Sequence, residues 1–427
     1  MSRLSLAAGW FRDPVAYLSE EARRQGPVAV LAGGRRPVVL VTDPDLVKEV
    51  LEAGDEVFDK AAGNPRLRDA VGDGLQFSGG EHHRVQRERL DPLFASQRVA
   101  RYAEAVAEAV RSVTAGWRDG DAVDVVADMR RIATGAILRA LFEATTEADM
   151  DRLTGAVTEL ARGLWHSMVP GGSALARTPA GGFRRFSAAR AAVDDHVRAD
   201  IAGRDGSGPD DLVGEMLEAG LTPGEVRDEV MTLLLAGRGT LTAALAWTWL
   251  LLAQNPSAAA RIRAEADDAL EGRGPSAKDL PQLAFTRKSF DEALRIYPPA
   301  WVLRRKVVQD RTLGGTRVPA GSTLLLCQFV VHRDPGLHPD PERFDPERRD
   351  PESPYATFPF GGGPRGCIGA GFAWMEATLV IAAIAARWQL ELPDGGTPEI
   401  RFARSITLLP RDPLLLRLER RAEPSIR

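Results

Sequence analysis

The chain has 427 residues, 44% of them hydrophobic and 27% charged, and its 55 Lys and Arg against 59 Asp and Glu leave a formal net charge of −4. A balance this even, without a clustered basic excess, gives no footing for nucleic acid as a partner. Two cysteines in such a length exclude a disulfide framework and fit a reducing cytoplasm.

Residues 1–12 hold too short an apolar stretch for a secretory leader. The longest mainly apolar runs, 241–253 and 377–386, fall short of the roughly twenty residues that span a bilayer. A soluble, cytoplasmic protein without membrane insertion is therefore expected. No linker, charge block or internal repeat divides the chain, so residues 1–427 are expected to form a single, monomeric domain around one core.

Along the chain, a helical pattern over 15–24 precedes two β-branched runs, 28–31 and 37–41, separated by Gly-Gly-Arg-Arg. That arrangement reads as a hairpin. From 84 to about 160 the spacing of Ala, Val and Leu is helical. Gly- and Pro-rich breaks at 170–173 and 203–209 read as loops. Thr222-Pro-Gly-Glu225 is a helix start, with a capping threonine, proline in the first turn and glutamate three residues on. The helix it opens should run to Gln254, before Asn255-Pro256, and reach about 45 Å. Apolar on nearly every face, it should be buried. Further helix to Arg295, short strands near 323–327 and a helix over 370–388 make the fold mostly α with small β-sheets.

One cysteine, Cys367, lies in Phe360-Gly-Gly-Gly-Pro-Arg-Gly-Cys367-Ile-Gly369, immediately before an apolar helical run. A helix N-terminus and Arg365 both favour a thiolate, the form that binds metal. The glycines let backbone approach a bulky group that a Cβ would push away. Two plainer readings compete. Gly361, Gly363 and Gly366 satisfy GxGxxG, but the dinucleotide motif follows a strand, and here Pro351-Glu-Ser-Pro-Tyr precedes it and Pro364 interrupts it. A cysteine after a turn is also often a small buried hydrophobe.

Glu292 and Arg295 stand at i, i+3 on one helix face, where they can meet. Alone such a pair carries little weight. Tyr297-Pro-Pro follows it, and Asp340-Pro-Glu-Arg343-Phe supplies a second arginine, Arg343, for a buried clamp around Glu292.

In order, Ala236-Gly-Arg-Gly-Thr240 in the long helix, Glu292-Ala-Leu-Arg295, Pro341-Glu-Arg-Phe and the loop from Phe360 to Gly369 make the chain resemble the cytochrome P450 family of haem-thiolate monooxygenases over most of its length. The resemblance implies the cytochrome P450 fold, mostly α with a smaller β region, with haem b held between the long central helix and the cysteine loop. It makes Cys367 the axial iron ligand, whose thiolate favours cleavage of the O–O bond. Phe360 would pack beside the sulfur, Gly369 would close the loop, and Arg365 would meet a haem propionate with its fork of donors. His83 and Arg87, four apart in Gly80-Glu-His-His83-Arg-Val-Gln-Arg87, are further propionate contacts by resemblance. Arg305 is the third, with Arg304 the competing choice.

In the family an acid precedes the threonine where the long helix passes the iron, and both serve proton delivery to dioxygen. Here Thr240 is present but Gly239 occupies the acid position. Gly237 and Gly239 each cost about 1 kcal/mol relative to alanine in mid-helix, so a local distortion beside Ala236, opening a groove, is expected. Arg238 is turned roughly 200° from Thr240. Ordinary hydroxylation, with water or a substrate group replacing the acid, is the leading reading. Peroxide use and atypical coupling, desaturation or ring closure are the alternatives, and a haem-thiolate sensor or carrier is a further one.

By the same resemblance the pocket walls come from 61–77, 160–186, 233–244, 299–303 and 405–409. Trp165, Met168, Leu233, Ala236, Trp301, Val302 and Ile406 would make a hydrophobic cavity, although each is equally a candidate for plain core. A hydrophobic terpenoid, polyketide or fatty-acid-like substrate fits, with O2 as co-substrate. With no redox domain following the strand pattern at 413–418, electrons are expected from a separate ferredoxin and ferredoxin reductase.

Overall fold

The computed structural model describes residues 9–10, 12–60, 68, 71–142, 146–168, 182–204, 211–393, 396, 399–403, 405 and 407–421. Its longer helices, in chain order, are α1 (Pro14–Gln25), α2 (Pro44–Glu52), α3 (Gly80–Leu90), α4 (Ala103–Thr114), α5 (Val125–Leu141), α6 (Glu147–Met168), α7 (Gly182–Gly203), α8 (Leu212–Glu218), α9 (Pro223–Gln254), α10 (Pro256–Leu270), α11 (Ala284–Ile296) and α12 (Ala370–Ala385). The strands are β1 (Val28–Ala32), β2 (Val38–Val41), β3 (Phe58–Asp59), β4 (Ala122–Asp124), β5 (Leu303–Val307), β6 (Arg311–Leu313), β7 (Thr316–Val318), β8 (Thr323–Leu326), β9 (Trp388–Glu391) and β10 (Leu415–Arg420). With 58% of the residues helical and, among the described residues, no strand longer than six, the mostly α expectation holds.

Short polar side chains start many of these helices by satisfying backbone N–H groups that have no intrahelical partner. Asp13 accepts from Ala16, Asp43 from Asp45 and Leu46, and Asp211 from Gly214. At α9 the expected capping box is complete: the Thr222 hydroxyl accepts from the Glu225 N–H, and the Glu225 carboxylate accepts from the Thr222 N–H. The chain groups into two compact units, Met1–Gly63 with Gly79–Arg84 and Asp291–Cys367, and Asn64–Ser78 with Val85–Phe290 and Ile368–Arg427.

The first unit is built on a sheet ordered β1-β2-β8-β5-β3. The expected hairpin is there, β1 against β2, and β2 runs parallel to β8 with Val38 opposite Thr323. Val39, Val41, Leu51, Phe58, Val307, Leu324, Leu326 and Phe358 form its core. Alternation along β5 buries Arg305 and Val307 and exposes Arg304 and Lys306.

The charged clamp of this unit differs from the expected one. Glu292 holds Arg295 through two bonds, Nε to Oε2 at 2.7 Å and Nη2 to Oε1 at 2.8 Å. The second arginine on Glu292 is Arg348, 3.2 Å from Oε1, and not Arg343. Arg343 is exposed and contributes its carbonyl, which accepts from Arg348 at 2.8 Å and from Arg295 at 3.4 Å. The proline corner that Arg343 occupies thus presents backbone to the clamp, and the guanidinium arrives five residues later.

In the second unit α9 is buried at every position from Leu241 to Leu252 and packs chiefly along α5. By length and composition it could cross a membrane, which corrects the expectation that no run is long enough; 67% of its apolar window is buried inside the protein, as in a core helix. β4, β10 and β9 form a three-stranded sheet. The last helix, α12, stops at Ala385, earlier than expected, because Trp388 opens β9 and packs edge-on against Trp117.

Successive side chains at the start of α9 also fasten residues 71–75. Arg227 donates to the Val71 carbonyl at 3.1 Å, Asp228 accepts from the Asp73 N–H at 2.8 Å, and Glu229 accepts from the Leu75 N–H at 3.1 Å and from Gln86 at 3.0 Å. Burial of Glu229, together with Asp228, Glu225 and Asp73 nearby, pushes its carboxyl up to about 7, although the Leu75 bond pulls the other way. A carboxyl raised on folding contributes stability below its unfolded value, and that contribution is lost as pH rises toward the folded value. Wild type is therefore expected to lose stability relative to Glu229→Gln between about pH 5 and about pH 8. Urea midpoints for both proteins at the two pH values check this, and parallel pH dependence would rule it out.

Candidate functional site

The segment leading to the cysteine is fixed by its backbone. Gln328 donates to the Phe358 carbonyl at 2.8 Å, and the Phe358 N–H donates to His332 Nε2 at 2.9 Å. His332 therefore presents an unprotonated nitrogen, and burial, aided by the charges of His338 and Arg295, lowers its pKa well below the usual value. From this anchor the loop turns back on itself: Gly361 N–H reaches the Phe358 carbonyl, Gly366 N–H reaches Gly363, and Cys367 N–H reaches the Phe360 carbonyl at 2.9 Å.

Two glycines there adopt positive φ, Gly361 at 72° and Gly363 at 60°. At Gly363 a Cβ would stand 2.0 Å from the Leu51 carbonyl oxygen. Gly363→Ala is expected to cost about 1–3 kcal/mol and displace the loop, since both the backbone angle and the space forbid a side chain. A denaturation midpoint equal to wild type would contradict this.

The loop ends with Cys367 exposed, whereas Cys327 is fully buried and its thiol is pushed up to about 12 by burial. Cys327 is accordingly inert and Cys367 is the available sulfur. Among the described residues no group of three or more His, Cys, Asp or Glu side chains could hold a metal ion.

Cations gather in the same unit. Arg365 is buried, its side chain only 3% exposed, and Asp55 clasps it, with Nε to Oδ1 at 3.0 Å and a second, shorter bond from Nη2 to Oδ2. Asp55 also accepts from the Gly80 N–H at 3.0 Å, at the first residue of α3. Burial raises its pKa, but the bonds from Arg365 and Gly80, with the charges of Arg365 and His83, outweigh that and leave it lowered. Arg305 is buried, and desolvation with the nearby Arg365 charge lowers it to about 10. Lys60, part-buried, falls to about 8 from desolvation, Arg305 and Arg365, against the opposing influence of Cys367 and Asp55. His83 is buried on α3.

Within one unit, Asp55 interacts electrostatically with His83, Arg305 and Arg365, and Lys60 with Arg305, Arg365 and Cys367, while the Cys367 N–H is bonded to the Phe360 carbonyl. Two members, Asp55 and Lys60, carry no sequence signal. Both are more than 300 positions from Arg365, and only the pairing of β3 with β5 seats Lys60 near Arg305. Of the two candidate arginines on β5, Arg305 is buried and Arg304 exposed. A buried excess of cations beside an exposed thiol, in a loop whose glycines admit close approach, fits the carboxylates and iron of a haem.

The remaining predicted residues belong to the second unit. Arg87 is part-buried and pairs with Asp91 at 2.7 Å. Gly369 precedes α12 with nothing within 4 Å of a Cβ built on it. On α9, Ala236 and Gly237 are exposed, and Gly239 and Thr240 part-buried, in a helix whose following twelve residues are buried. The expected distortion is replaced by a continuous helix, and the opening comes from missing side chains: a Cβ on Gly237 would meet nothing within 4 Å, and one on Gly239 only Thr407 Oγ1 at 3.5 Å. The Thr240 hydroxyl lies 2.9 Å from the Ala236 carbonyl and 3.2 Å from that of Gly237, a return to its own helix. Arg238 points elsewhere, donating to Thr158 on α6 at 3.0 Å, and burial with Arg130 and Arg162 nearby lowers it to about 10.

Of the expected pocket walls, Trp301 is buried against Trp10, with ring centroids 5.7 Å apart, and Leu233 and Val302 are part-buried. The side chains of Trp165 and Met168, residue Ile406, and the segments 61–67 and 169–181 lie outside the described residues.

Residues 7–418 match the family model described as Cytochrome P450. Among curated proteins, the chain is 36% identical to cyclooctatin synthase of Streptomyces melanosporofaciens, over 93% of this chain and 90% of that protein. It is 36% identical to cyclooctat-9-en-7-ol 5-monooxygenase of the same organism, over 91% and 87%, and 31% identical to pentalenene oxygenase of Streptomyces avermitilis, over 92% and 90%. Among solved structures, the haem domain of cytochrome P450DA superposes with a TM-score of 0.84 at 26% identity, covering 96% of this chain and 93% of that one.

Proposed function

The chain belongs to the cytochrome P450 family, and we propose that it is a haem-thiolate monooxygenase that inserts one oxygen atom from O2 into a hydrophobic terpenoid. The observation that carries the reading is the exposed Cys367 at the end of a loop locked by its own backbone, beside the buried cations Arg305 and Arg365. Cys367 would hold the iron of haem b, and Arg305, Arg365, His83 and Arg87 would meet its carboxylates. Once bound, the haem supplies the oxygen chemistry. The chain's own part would be to grip that group, and Ala236, Gly237, Gly239 and Thr240 on α9 would serve dioxygen and its protons.

The relatives whose names specify cyclooctat-9-en-7-ol and pentalenene support a terpenoid substrate over the other hydrophobic classes. Electrons would come from a ferredoxin and its reductase, to a monomeric, single-domain protein in the cytoplasm. Supplying that redox system, labelled dioxygen and a panel of cyclic terpene hydrocarbons and alcohols should yield products carrying one labelled oxygen atom. Binding spectra without turnover across the panel would favour the carrier reading instead.

One observation favours a second reading of the reaction subtype. Gly239 leaves no carboxylate next to Thr240, and Arg238, the adjacent cation, is directed to Thr158. Protons would then reach the site through water or a substrate hydroxyl, or the product would arise by desaturation or coupling. Full turnover with hydrogen peroxide alone would favour peroxide use over reductase-supported hydroxylation.

A further inference from the structure

Asp55 carries more than a tether's share of the cofactor side of the site. Its carboxylate touches three things at once: two nitrogens of Arg365 in a fork geometry and the N–H of Gly80. It lies in the turn between α2 and β3, its side chain 15% exposed, and it acts electrostatically on Lys60, Arg305 and Arg365. Asp59 acts on Arg305 as well. Asp55 bonds directly to Arg365, and the same bond set ties the cysteine loop, two residues before Cys367, to the start of the helix that bears His83.

We infer that Asp55 is a positioning residue for the cofactor: it clasps Arg365 against the first residue of α3 and so fixes the aim and the net charge of the cations that meet the haem carboxylates. The inference rests on the haem-thiolate reading. Two consequences follow from the geometry. Without the clasp, Arg365 loses the carboxylate that holds two of its nitrogens, and outer partners of this kind commonly change the retention of a bound group by about 10–100-fold. Without the carboxylate, the cluster gains one unit of positive charge, which favours the reduced iron and raises its midpoint potential.

The test uses purified holoprotein of the wild type, Asp55→Asn and Asp55→Ser. The serine keeps a short acceptor for the Gly80 N–H and, like the asparagine, removes the charge. Haem transfer to excess apomyoglobin is expected to accelerate about tenfold in both variants, and a redox titration should place both at a more positive potential, with Asp55→Glu returning both values toward wild type. Wild-type release rates and potentials in the variants would overturn the inference. So would failure of both to fold in the presence of excess haem, because the carboxylate would then serve the fold itself. Failure of the underlying reading appears separately, as a wild-type protein whose reduced carbon monoxide complex lacks the thiolate band.

Discussion

Glu292→Leu is expected to lower the free energy of unfolding by about 3–5 kcal/mol, because it leaves two guanidinium groups desolvated without their shared anion. The side chains of Arg295 and Arg348 are 3% and 12% exposed, and both bond to this one carboxylate. Arg295 also donates to the His332 carbonyl at 2.8 Å, so the disturbance reaches the helix turn whose imidazole anchors Phe358 below the cysteine loop. Glu292→Gln, which keeps acceptor and donor atoms but not the charge, should fall between. Arg343→Ala separates the observed clamp from the one expected from sequence: its side chain is exposed, so a change within about 0.5 kcal/mol is expected. Denaturant midpoints on the four proteins decide the matter. A wild-type midpoint for Glu292→Leu, or a loss at Arg343→Ala comparable to that at Glu292, would show that the clamp has been assigned wrongly.

Cys367→Ser is expected to abolish oxygenation while leaving the fold intact. The side chain is exposed and its residue is held through its backbone N–H, so oxygen for sulfur costs little stability. A serine hydroxyl is a far weaker electron donor to iron than a thiolate, so the carbon monoxide complex of the reduced protein should lose its thiolate band and product formation should drop to background. A thermal midpoint near wild type, measured on the haem-free proteins, would separate loss of ligation from loss of structure. Retained turnover in the serine variant would refute thiolate ligation by Cys367.

What the sequence could reveal divided along the range of the interactions. The capping box at Thr222, the Glu292–Arg295 pair and the punctuated loop around Cys367 are local patterns, each completed within ten residues, and each stands in the structure as expected. Arg305 against Arg304 was open on motif grounds, yet strand alternation resolves their burial, because Arg305 shares its face with the apolar Val307. Asp55 and Lys60 were illegible for a physical reason: their partners, Arg365 and Arg305, lie hundreds of positions away and meet them only through the tertiary fold. Arg348 was missed because an adjacent arginine-bearing corner, Asp340 to Phe344, offered a plausible donor that the backbone instead turns outward. The end of α12 was misplaced because the apolar run over 377–386 masks the break at Arg387, after which β9 begins at Trp388.

The contrast between the two thiols has a practical consequence. Cys327 is sealed in the core and held in its unreactive form, while Cys367 lies at the surface of its loop. A maleimide or iodoacetamide reagent should therefore modify one sulfur per native molecule, and a bound iron would shield that one. Alkylation stoichiometry then counts the molecules that lack haem in any preparation, giving an assay of cofactor loading that needs neither substrate nor redox partner.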